Sequence, residues 1–166
     1  MKFEKISRKQ FIKDFRRSIT PIGLNANDAY MNIRIPERST ERSCGFDFKM
    51  PYDLHVMKNV PYKIPTGIKV DLSSRLPWRL YSLDIYPRSS MGMKYGMKCT
   101  NTVGIIDADY YNNEDNEGHI FIEIEAKKDI DLKQGDRFAQ GIIHRCYTVG
   151  DKPKGKRNGG MGSTGR

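Results

Sequence analysis

The amino-acid sequence predicts an all-β protein, either a sandwich or a barrel, with a short helical segment at its N-terminus. Five separate runs alternate apolar and polar residues with a period of two, which is the spacing of a half-buried strand. Prolines and glycines separate these runs, and only one run has the spacing of a helix. The length of 166 residues fits a single domain with a core of its own.

The elements follow one another in a simple order. Ser7 is suited to cap a helix that Pro21 ends, and four apolar residues share one face of it: Phe11, Ile12, Phe15 and Ile19. The predicted strands are centred on five apolar triplets: Met31/Ile33/Ile35, Phe46/Phe48/Met50, Ile68/Val70/Leu72, Tyr81/Leu83/Ile85 and Ile120/Ile122/Ile124. We therefore expect an N-terminal strand and helix addition over residues 1–29, a β core over 30–148 and a flexible C-terminal arm over 149–166.

The net charge of +9 first suggests a nucleic-acid partner, so the distribution of the charge matters. Residues 1–17 carry a net +5 and residues 150–166 a net +4, whereas basic and acidic residues balance in residues 18–149. A groove for a nucleic-acid backbone is normally basic on the folded body and interleaves aromatic with basic residues. The charge therefore favours a small polyanion gripped by a flexible arm, and we expect no specific nucleic-acid partner.

The sequence also indicates the compartment. No apolar run approaches the length of a membrane span, and the N-terminus lacks the apolar stretch of a secretory signal. Cys44, Cys99 and Cys146 are odd in number and far apart, so they form neither a disulfide framework nor a zinc pattern. We expect a cytoplasmic protein with no membrane partner.

Residues 150–165 are rich in glycine and in basic residues and have almost no apolar surface to bury. We therefore expect this segment to be mobile until a ligand orders it. Its glycines let backbone N–H groups approach a phosphate chain, while Ser163, Thr164 and either Lys156 or Arg157 add hydroxyl donors and charge. The same composition is typical of a disordered tail, and the tail alone does not separate the two interpretations.

Two segments in the first half of the chain place polar groups at the ends of predicted strands. Asp47 follows Gly45 at the start of a strand. Arg88 and Ser89 present a cation and a hydroxyl side by side where a strand passes into a turn, an arrangement suited to phosphate oxygens. Each of these segments alone is equally consistent with an ordinary surface turn.

Two further segments follow in the second half. Residues 101–110 form an apolar strand that ends in Asp107 and Tyr110, and a carboxylate at a strand end is suited to deprotonate an attacking water. Residues 134–140 contain a Gly-Asp turn and then a strand that carries Gln140. A strand that runs into an ordinary turn is the alternative interpretation of both segments.

In order and spacing, these four segments and the tail resemble the five motifs of the trimeric, all-β dUTP pyrophosphatase (dUTPase) family. The resemblance covers about residues 30–166. It implies a distorted jelly-roll homotrimer, in which all three chains contribute to each active site at a subunit boundary. It also implies an Mg²⁺-dependent enzyme that hydrolyses dUTP to dUMP and diphosphate, which limits uracil in DNA and supplies the thymidylate precursor. A bacterial or bacteriophage origin is expected.

The resemblance assigns a role to each matching position. Asp107 matches the aspartate that activates the attacking water. The base and the sugar are assigned to Asn101, Gly104, Tyr110 and Met161, with the ring of Tyr110 leaving no room for a 2′-hydroxyl. The phosphates are assigned to Arg88, Ser89, Ser90, Gln140, Arg157, Ser163 and Thr164. Asp47 matches the acid that helps to place the hydrated magnesium ion, through water.

The sequence departs from the family pattern in four places. Met161 stands where the family usually has an aromatic residue on the uracil, and methionine covers a base with less stacking. Lys156 and Arg157 both match the cation of the arm, and we favour Arg157 because its planar guanidinium binds phosphate as a fork. Residues 111–117 replace a tight turn, and we expect a solvated bulge rather than a regulatory insert. The N-terminal helix lies outside the common family core, and the sequence leaves its role open.

Two alternatives stay open at this point. The first is dCTP deaminase, or its bifunctional relative of the same fold, in which a glutamate at the position of Glu123 would carry the chemistry. Tyr110 and the glycine-rich tail favour the dUTPase interpretation instead. The second is a nucleotide-gated regulatory protein with an additional protein partner. The presence of Asp107 and of the arm favours an enzyme.

Overall fold

The computed structural model describes residues 1–18, 23–73, 79–150 and 155, and these residues form twelve β-strands, three short α-helices and one 3₁₀ turn. The helices are α1 (Arg8–Phe15), α2 (Ala26–Met31) and α3 (Ser89–Tyr95), and the 3₁₀ turn spans Ala108–Tyr110. The strands are β1 (Lys2–Lys5), β2 (Glu37–Arg38), β3 (Phe46–Lys49), β4 (Leu54–Val56), β5 (Tyr62–Pro65), β6 (Ile68–Asp71), β7 (Leu80–Pro87), β8 (Lys98–Cys99), β9 (Gly104–Asp107), β10 (Phe121–Glu125), β11 (Ile130–Leu132) and β12 (Arg137–Cys146). The predicted all-β fold is confirmed.

The strands form antiparallel sheets of different sizes. The largest sheet has the strand order β2-β3-β12-β7-β9, and a three-stranded sheet has the order β5-β10-β8. In addition, β1 pairs with β6 and β4 pairs with β11. The last strand, β12, lies between β3 and β7 in the middle of the largest sheet. Segments that are far apart in sequence therefore lie on neighbouring strands.

One face of the largest sheet packs into the apolar core. Its buried residues join those of the smaller sheets and of the N-terminal segment in a single cluster, which includes Ile6, Phe11, Phe48, Ile64, Leu83, Ile85, Ile106 and Ile122. Side chains alternate between the two faces of a strand, so the neighbours of these core residues point the other way. Asp47, Gln140 and Asp107 lie on this second face, which we call the outer face of the sheet.

Helix α1 begins where the sequence predicts. The Ser7 side chain accepts a hydrogen bond from the backbone N–H three residues further on and so caps the helix. Phe11 and Phe15 are buried against the core, as expected for the apolar face of the helix. The helix ends at Phe15, and the predicted positions Ile19 and Pro21 lie outside the described residues.

Helix α2 contradicts the strand predicted around Met31. Asn25 caps this helix by accepting a hydrogen bond from the backbone N–H of Asn27, and the residues between Met31 and Pro36 form no strand. Of the predicted apolar triplet only Ile33 is buried, whereas Met31 and Ile35 are exposed. A single buried side chain gives little reason for a strand, and the side-chain cap favours a helical turn.

Helix α3 contradicts the turn predicted after Pro87, and with α2 it shows that the expectation of a single helix was wrong. It spans Ser89–Tyr95 and is capped by Gly96, whose left-handed conformation (φ 63°) is suited to glycine. None of the helices in the described ranges is long enough and apolar enough to cross a membrane.

The other four apolar triplets coincide with β3, β6, β7 and β10, within a residue at their ends. The long strand β12 was predicted only as the strand that carries Gln140. Its buried positions include the small residues Ala139 and Gly141, and its register shifts between Arg137 and Ala139. Both features conceal the alternation of large apolar side chains on which strand prediction depends.

Candidate active site

Asp47 lies at the centre of a charged cluster on the outer face of the largest sheet. It is only 6% exposed. Its Oδ1 lies 3.3 Å from Nε of Arg88, and its Oδ2 lies 3.3 Å from Nη1 of Arg137. Ser39 donates a hydrogen bond from Oγ to Oδ2 of Asp47, and Arg137 donates to Oγ of Ser39 at 2.7 Å. The carboxylate thus holds two guanidinium groups beside each other, where both remain partly exposed.

The end of β7 brings Arg88 to this cluster. Arg88 is the N-cap of α3, directly after the last residue of β7. Its backbone N–H donates to the carbonyl oxygen of Phe138 in β12 at 3.3 Å, which ties the start of α3 to the central strand. Ser89 and Ser90 are the first residues of α3 and both are exposed. Of the three predicted phosphate contacts, Arg88 therefore lies next to Asp47, and Ser89 and Ser90 follow it at the exposed start of α3.

Gln140 lies directly opposite Asp47 in the pairing of β12 with β3. The Gln140 amide also packs closely on Gly45, because a Cβ atom at position 45 would lie 2.6 Å from its Oε1. Glycine leaves room for this contact, and any larger residue would displace the amide. The structure therefore brings together Asp47, Arg88 and Gln140 from three distant segments, while their roles stay predictions.

Sequence analysis missed two members of this cluster, Ser39 and Arg137. Arg137 belongs to the segment that predicted Gln140, and a basic residue directly after a Gly-Asp turn was an available signal for it. Ser39 lies in a bend after β2 and has no motif of its own. Its role follows only from the pairing of β2 with β3.

A tight turn between β8 and β9 carries Asn101; the antiparallel bridge between Cys99 and Thr102 closes it, and we call it the hairpin turn. The backbone N–H of Val103 donates to the carbonyl oxygen of Asn101 at 2.7 Å, across Thr102 with φ 66°. This is a γ-turn with a β-branched residue in the left-handed region, an arrangement that is rare and strained. Such strain is often found at functional sites. The Asn101 amide lies over the buried Gly104, 3.5 Å from the place of a Cβ atom, which is an ordinary contact distance.

Asp107 is the last residue of β9, and its side chain is exposed on the outer face of the sheet. It lies opposite Ser82 of β7 in the strand pairing. A carboxylate in this position is accessible to water and to a substrate. It is therefore suited to accept a proton, as the sequence predicts.

Tyr110 is enclosed by the loop that follows it and is 1% exposed. Its hydroxyl donates to the carbonyl oxygen of His119 at 2.8 Å and accepts from Nδ2 of Asn116 at 2.8 Å. In the isolated chain almost none of the ring is available to a sugar, and the sugar contact stays a prediction.

The expectation that residues 111–117 form a solvated bulge is wrong for the inner side of this loop. Glu114 and Asp115 are exposed, but Asn113 and Asn116 are buried. The side-chain amide of Asn113 donates to the carbonyl oxygen of Tyr110 at 2.8 Å. Buried amides with such partners order the backbone around them, so the loop is an internal part of the fold.

The two groups of predicted site residues lie apart within one chain. Asp47 and Asp107 are on strands separated by β12 and β7, and their positions differ by about four residues along the strands. With usual strand spacings, this corresponds to roughly 20 Å between their Cα atoms. One triphosphate cannot contact the Asp47 cluster and the Asp107 carboxylate of the same chain at one phosphorus atom.

The described residues contain no group of three or more histidine, cysteine, aspartate or glutamate side chains that could hold a metal ion. Asp47 is a single carboxylate, and both of its oxygens already face cations. Mg²⁺ usually keeps several water ligands and is held by one or two carboxylates together with substrate phosphates. The cluster therefore does not fit a metal site made by side chains alone, and a hydrated Mg²⁺ brought by a triphosphate, with Asp47 in contact through water, stays a prediction.

The remaining predicted residues belong to the arm. Lys156, Arg157, Met161, Ser163 and Thr164 lie outside the described residues.

Glu123, the residue of the deaminase alternative, is exposed on β10 and accepts a hydrogen bond from the Thr100 hydroxyl at 2.7 Å. It supports the base of the hairpin turn that carries Asn101.

The antiparallel sheets, with acidic and basic side chains at their strand ends, define an all-β protein of the jelly-roll class. The structure is similar to that of dUTPase from Streptococcus mutans, with a TM-score of 0.64 and 27% sequence identity, over 90% of this chain and 98% of that chain. It is also similar to EIAV dUTPase, with a TM-score of 0.55 and 27% identity, over 71% of this chain and 88% of that chain.

Sequence comparisons agree with the structural likeness. The dUTPase family model matches residues 31–165. The deoxyuridine 5′-triphosphate nucleotidohydrolase of Lactococcus lactis subsp. lactis (strain IL1403) is 37% identical over 139 residues, which cover 80% of this chain and 89% of that protein. The corresponding protein of Maricaulis maris (strain MCS10) is 30% identical over 162 residues, 89% of this chain and 98% of that protein. The chain belongs to the dUTPase family, and the resemblance seen in the motifs is confirmed.

Proposed function

We propose that this protein hydrolyses dUTP to dUMP and diphosphate, by attack of a water molecule on the α-phosphorus. The observation that carries the proposal is the family match over residues 31–165, which includes the motif positions of the Asp47 cluster, the hairpin and the arm. In the cytoplasm, this reaction would limit the uracil available for incorporation into DNA and would supply dUMP.

The Asp47 cluster is the proposed phosphate site. Arg88 and Arg137 present two cations that a single carboxylate only partly neutralises, so a net positive charge is left for a polyanion. Ser89, Ser90 and Gln140 add neutral donors around these cations. When bound with the nucleotide, Mg²⁺ offsets the charge of the triphosphate and makes the phosphorus more open to attack.

The hairpin region is the proposed site for base, sugar and water. Asn101, which is exposed, would receive the edge of the uracil beside Gly104. Tyr110, of which only a small part is exposed in a single chain, would lie under the sugar and leave no space for a 2′-hydroxyl. Asp107, exposed at the end of the same strand, would orient the attacking water and accept its proton.

A complete site requires more than one chain. The separation of roughly 20 Å between the Asp47 cluster and Asp107, derived from strand spacings, supports a homotrimer in which the two groups come from different chains. In this proposal the arm closes over the nucleotide, with Arg157, Ser163 and Thr164 on the phosphates and Met161 over the base. Closure excludes bulk water and fixes the geometry of attack.

The first experiment compares substrates and two aspartate variants. Purified protein with Mg²⁺ is given dUTP, dCTP, UTP or dTTP, and both diphosphate and ammonia are measured. Diphosphate from dUTP alone is expected. Asp107→Asn should abolish this release while nucleotide binding and assembly persist. Asp109→Asn, two residues further on and also exposed, is the matched control and should retain activity.

Two outcomes would contradict the proposal. Ammonia from dCTP would move the chemistry to Glu123 and establish a deaminase. Normal turnover of dUTP by Asp107→Asn would remove the proposed base.

Mixing of chains tests the shared site. Asp107→Asn and Arg88→Ala proteins are each expected to be inactive. If Asp107 and Arg88 act from different chains, unfolding and refolding the two together should restore about a quarter of the activity, because random assembly leaves that share of sites intact. If the mixture stays inactive although mixed trimers form, both residues act from one chain.

A further inference from the structure

The N-terminal segment, residues 1–18, is hydrogen-bonded to the loop that follows Tyr110. The Tyr111 hydroxyl donates to Oε2 of Glu4 at 2.5 Å. Further along, the backbone N–H and the hydroxyl of Ser7 donate to the two carboxylate oxygens of Glu117, at 2.8 and 2.6 Å. Ser7 is also the N-cap of α1, so the loop is tied to the first turn of this helix. The family model begins only at residue 31, after this segment.

The last of these contacts of the N-terminal segment is a buried pair of Asp14 and His119. Nδ1 of His119 lies 2.7 Å from Oδ2 of Asp14, and His119 is fully buried. The backbone N–H of Gly67 donates to Nε2 of His119 at 2.8 Å. This nitrogen therefore acts as an acceptor, and the proton of a neutral imidazole is on Nδ1, directed at Asp14. Each ring nitrogen has a single defined partner, so the orientation of the ring is fixed.

The same residue continues the contact to Tyr110. The carbonyl oxygen of His119 accepts the hydrogen bond from the Tyr110 hydroxyl at 2.8 Å. Asn116, from the middle of the loop, donates to this hydroxyl at 2.8 Å. A chain of buried hydrogen bonds therefore leads from α1 through His119 to the tyrosine. Buried networks in which every member has a partner are rigid.

We propose that Asp14 and His119 are positioning residues, which hold Tyr110 in place from the N-terminal segment and thereby set the discrimination between deoxyribose and ribose. The inference rests on the proposed function, because it needs Tyr110 to lie under the sugar. It gives the N-terminal segment, whose role the sequence left open, a task in substrate selection.

The physical reason is the small space at Tyr110. Tyr110 is 1% exposed, so the position of the small part of its ring that a sugar can reach depends on the groups that pack around the ring. A 2′-hydroxyl adds one oxygen atom, and a ring that settles by a fraction of an ångström gives it room. A less firmly held ring should therefore raise kcat/KM for UTP relative to kcat/KM for dUTP. A general loss of stability should instead lower both values together.

The test measures kcat/KM for dUTP and for UTP in four variants. Asp14→Ala removes the acceptor of the His119 proton, and Asp14→Asn keeps an acceptor of the same size. Glu117→Gln weakens the Ser7 contact by removing a charge. The matched control is Arg8→Ala, because Arg8 lies on the same helix but donates to Asn27 of α2, away from the loop.

We expect the ratio of kcat/KM for dUTP over UTP to fall about tenfold in Asp14→Ala, the equivalent of about one hydrogen bond. Glu117→Gln should lower it in the same direction by a smaller factor. Asp14→Asn should restore most of the ratio, and Arg8→Ala should leave it unchanged. An unchanged ratio in Asp14→Ala and Glu117→Gln, or an equal change in Arg8→Ala, would overturn the inference.

Hydrogen exchange distinguishes a failure of the positioning role from a failure of the proposed function. If the unaltered protein does not hydrolyse dUTP, the proposed function fails, and the positioning role is then judged by backbone exchange in residues 110–119. Faster exchange there in Asp14→Ala, but not in Arg8→Ala, supports the positioning role without any substrate. Equal exchange in both variants overturns it.

Discussion

The guanidinium group of Arg88 lies 3.3 Å from the carboxylate of Asp47, although Asp47 lies on β3 and Arg88 directly follows β7, two strands of one sheet that do not pair with each other. The central strand β12 pairs with β3 on one side and with β7 on the other, and this arrangement brings them together. Arg137 approaches the second oxygen of the same carboxylate. Asp47 therefore holds two cations at once.

Replacing Asp47 by asparagine should weaken nucleotide binding. The substitution keeps the size of the side chain but removes the charge between Arg88 and Arg137, which then repel each other and lose their fixed positions. We expect KM for dUTP to rise about tenfold, equal to about 1.4 kcal/mol of binding free energy, and the Mg²⁺ concentration for half-maximal rate to rise as well. Steady-state kinetics at several Mg²⁺ concentrations provide the measurement.

Glu37→Gln is the matched control for this variant. Glu37 lies in the same cleft and pairs with Lys49, but it contacts neither arginine. Its replacement should change KM by less than about twofold, because exposed ion pairs contribute little. An equal effect of both substitutions would mean that the general charge of the cleft matters and that the contacts of Asp47 do not.

Gly45→Ala should disturb the phosphate site through Gln140. The new methyl group would lie 2.6 Å from Oε1 of Gln140, so the amide must move away from its place opposite Asp47. We expect kcat/KM for dUTP to fall about tenfold, whereas the free energy of unfolding should change by less than about 1 kcal/mol, because the atom that must move is the free end of a flexible side chain. Kinetics and urea unfolding measure the two effects.

Gly92→Ala is the control for Gly45→Ala. Gly92 lies within α3, where a methyl group would meet only the carbonyl oxygen of Met97 at an ordinary 3.6 Å. It should leave activity unchanged and increase the free energy of unfolding by up to about 1 kcal/mol, since alanine is the better helix residue. Full activity of Gly45→Ala would show that Gln140 does not need its observed position.

Glycine should be tolerated better at Thr102 than at Thr100, its neighbour in the hairpin. Thr102 has φ 66°, where glycine relieves strain of about 1 kcal/mol or more, and this offsets the entropy cost of glycine. Thr100 gains no such relief and loses its hydrogen bond to Glu123. Urea unfolding should therefore show Thr102→Gly to be more stable than Thr100→Gly by at least about 1 kcal/mol. The opposite order would show that the turn carries no strain.

Sequence analysis predicted well those features that depend on local pattern. The period-two triplets gave β3, β6, β7 and β10, and the capping residue Ser7 gave the start of α1. The site segments were found because glycines, acids and arginines at strand ends have recognisable neighbours in sequence. The order of these segments indicated the family before any strand was paired.

Other features depend on contacts that no local pattern records. The salt bridge of Arg137 with Asp47 follows from the pairing of β12 with β3 and from a shift in register. The burial of His119 follows from the docking of α1 against a loop far away in sequence. Helix α2 was missed because the alternation of Met31, Ile33 and Ile35 matches a strand, while a side-chain cap and burial decide for a helix.

His119 makes stability depend on pH in a defined direction. Burial lowers the pKa of His119 below its usual 6.5, although the Asp14 and Glu117 carboxylates favour the protonated form; Lys63 adds to the lowering. The hydrogen bond from Gly67 to Nε2 also requires the neutral ring. Burial raises the pKa of Asp14, but the hydrogen bonds from His119 and Gln10 outweigh it, so that this pKa is lowered overall.

The expected result is a loss of stability as the pH falls below about 6.5, because the unfolded chain then binds a proton that the folded chain does not. The free energy of unfolding should fall between pH 7.5 and 5.5 by at most about 1.4 kcal/mol for each pH unit below 6.5. Asp14, with its pKa below the usual 3.8, contributes a further loss only at lower pH. Urea unfolding of the unaltered protein and of His119→Gln at several pH values measures the contribution of His119. The variant should be less stable at pH 7.5, but its free energy of unfolding should change less between pH 7.5 and pH 5.5. A profile that is as steep in His119→Gln would show that the loss of stability does not come from proton uptake by the His119 ring.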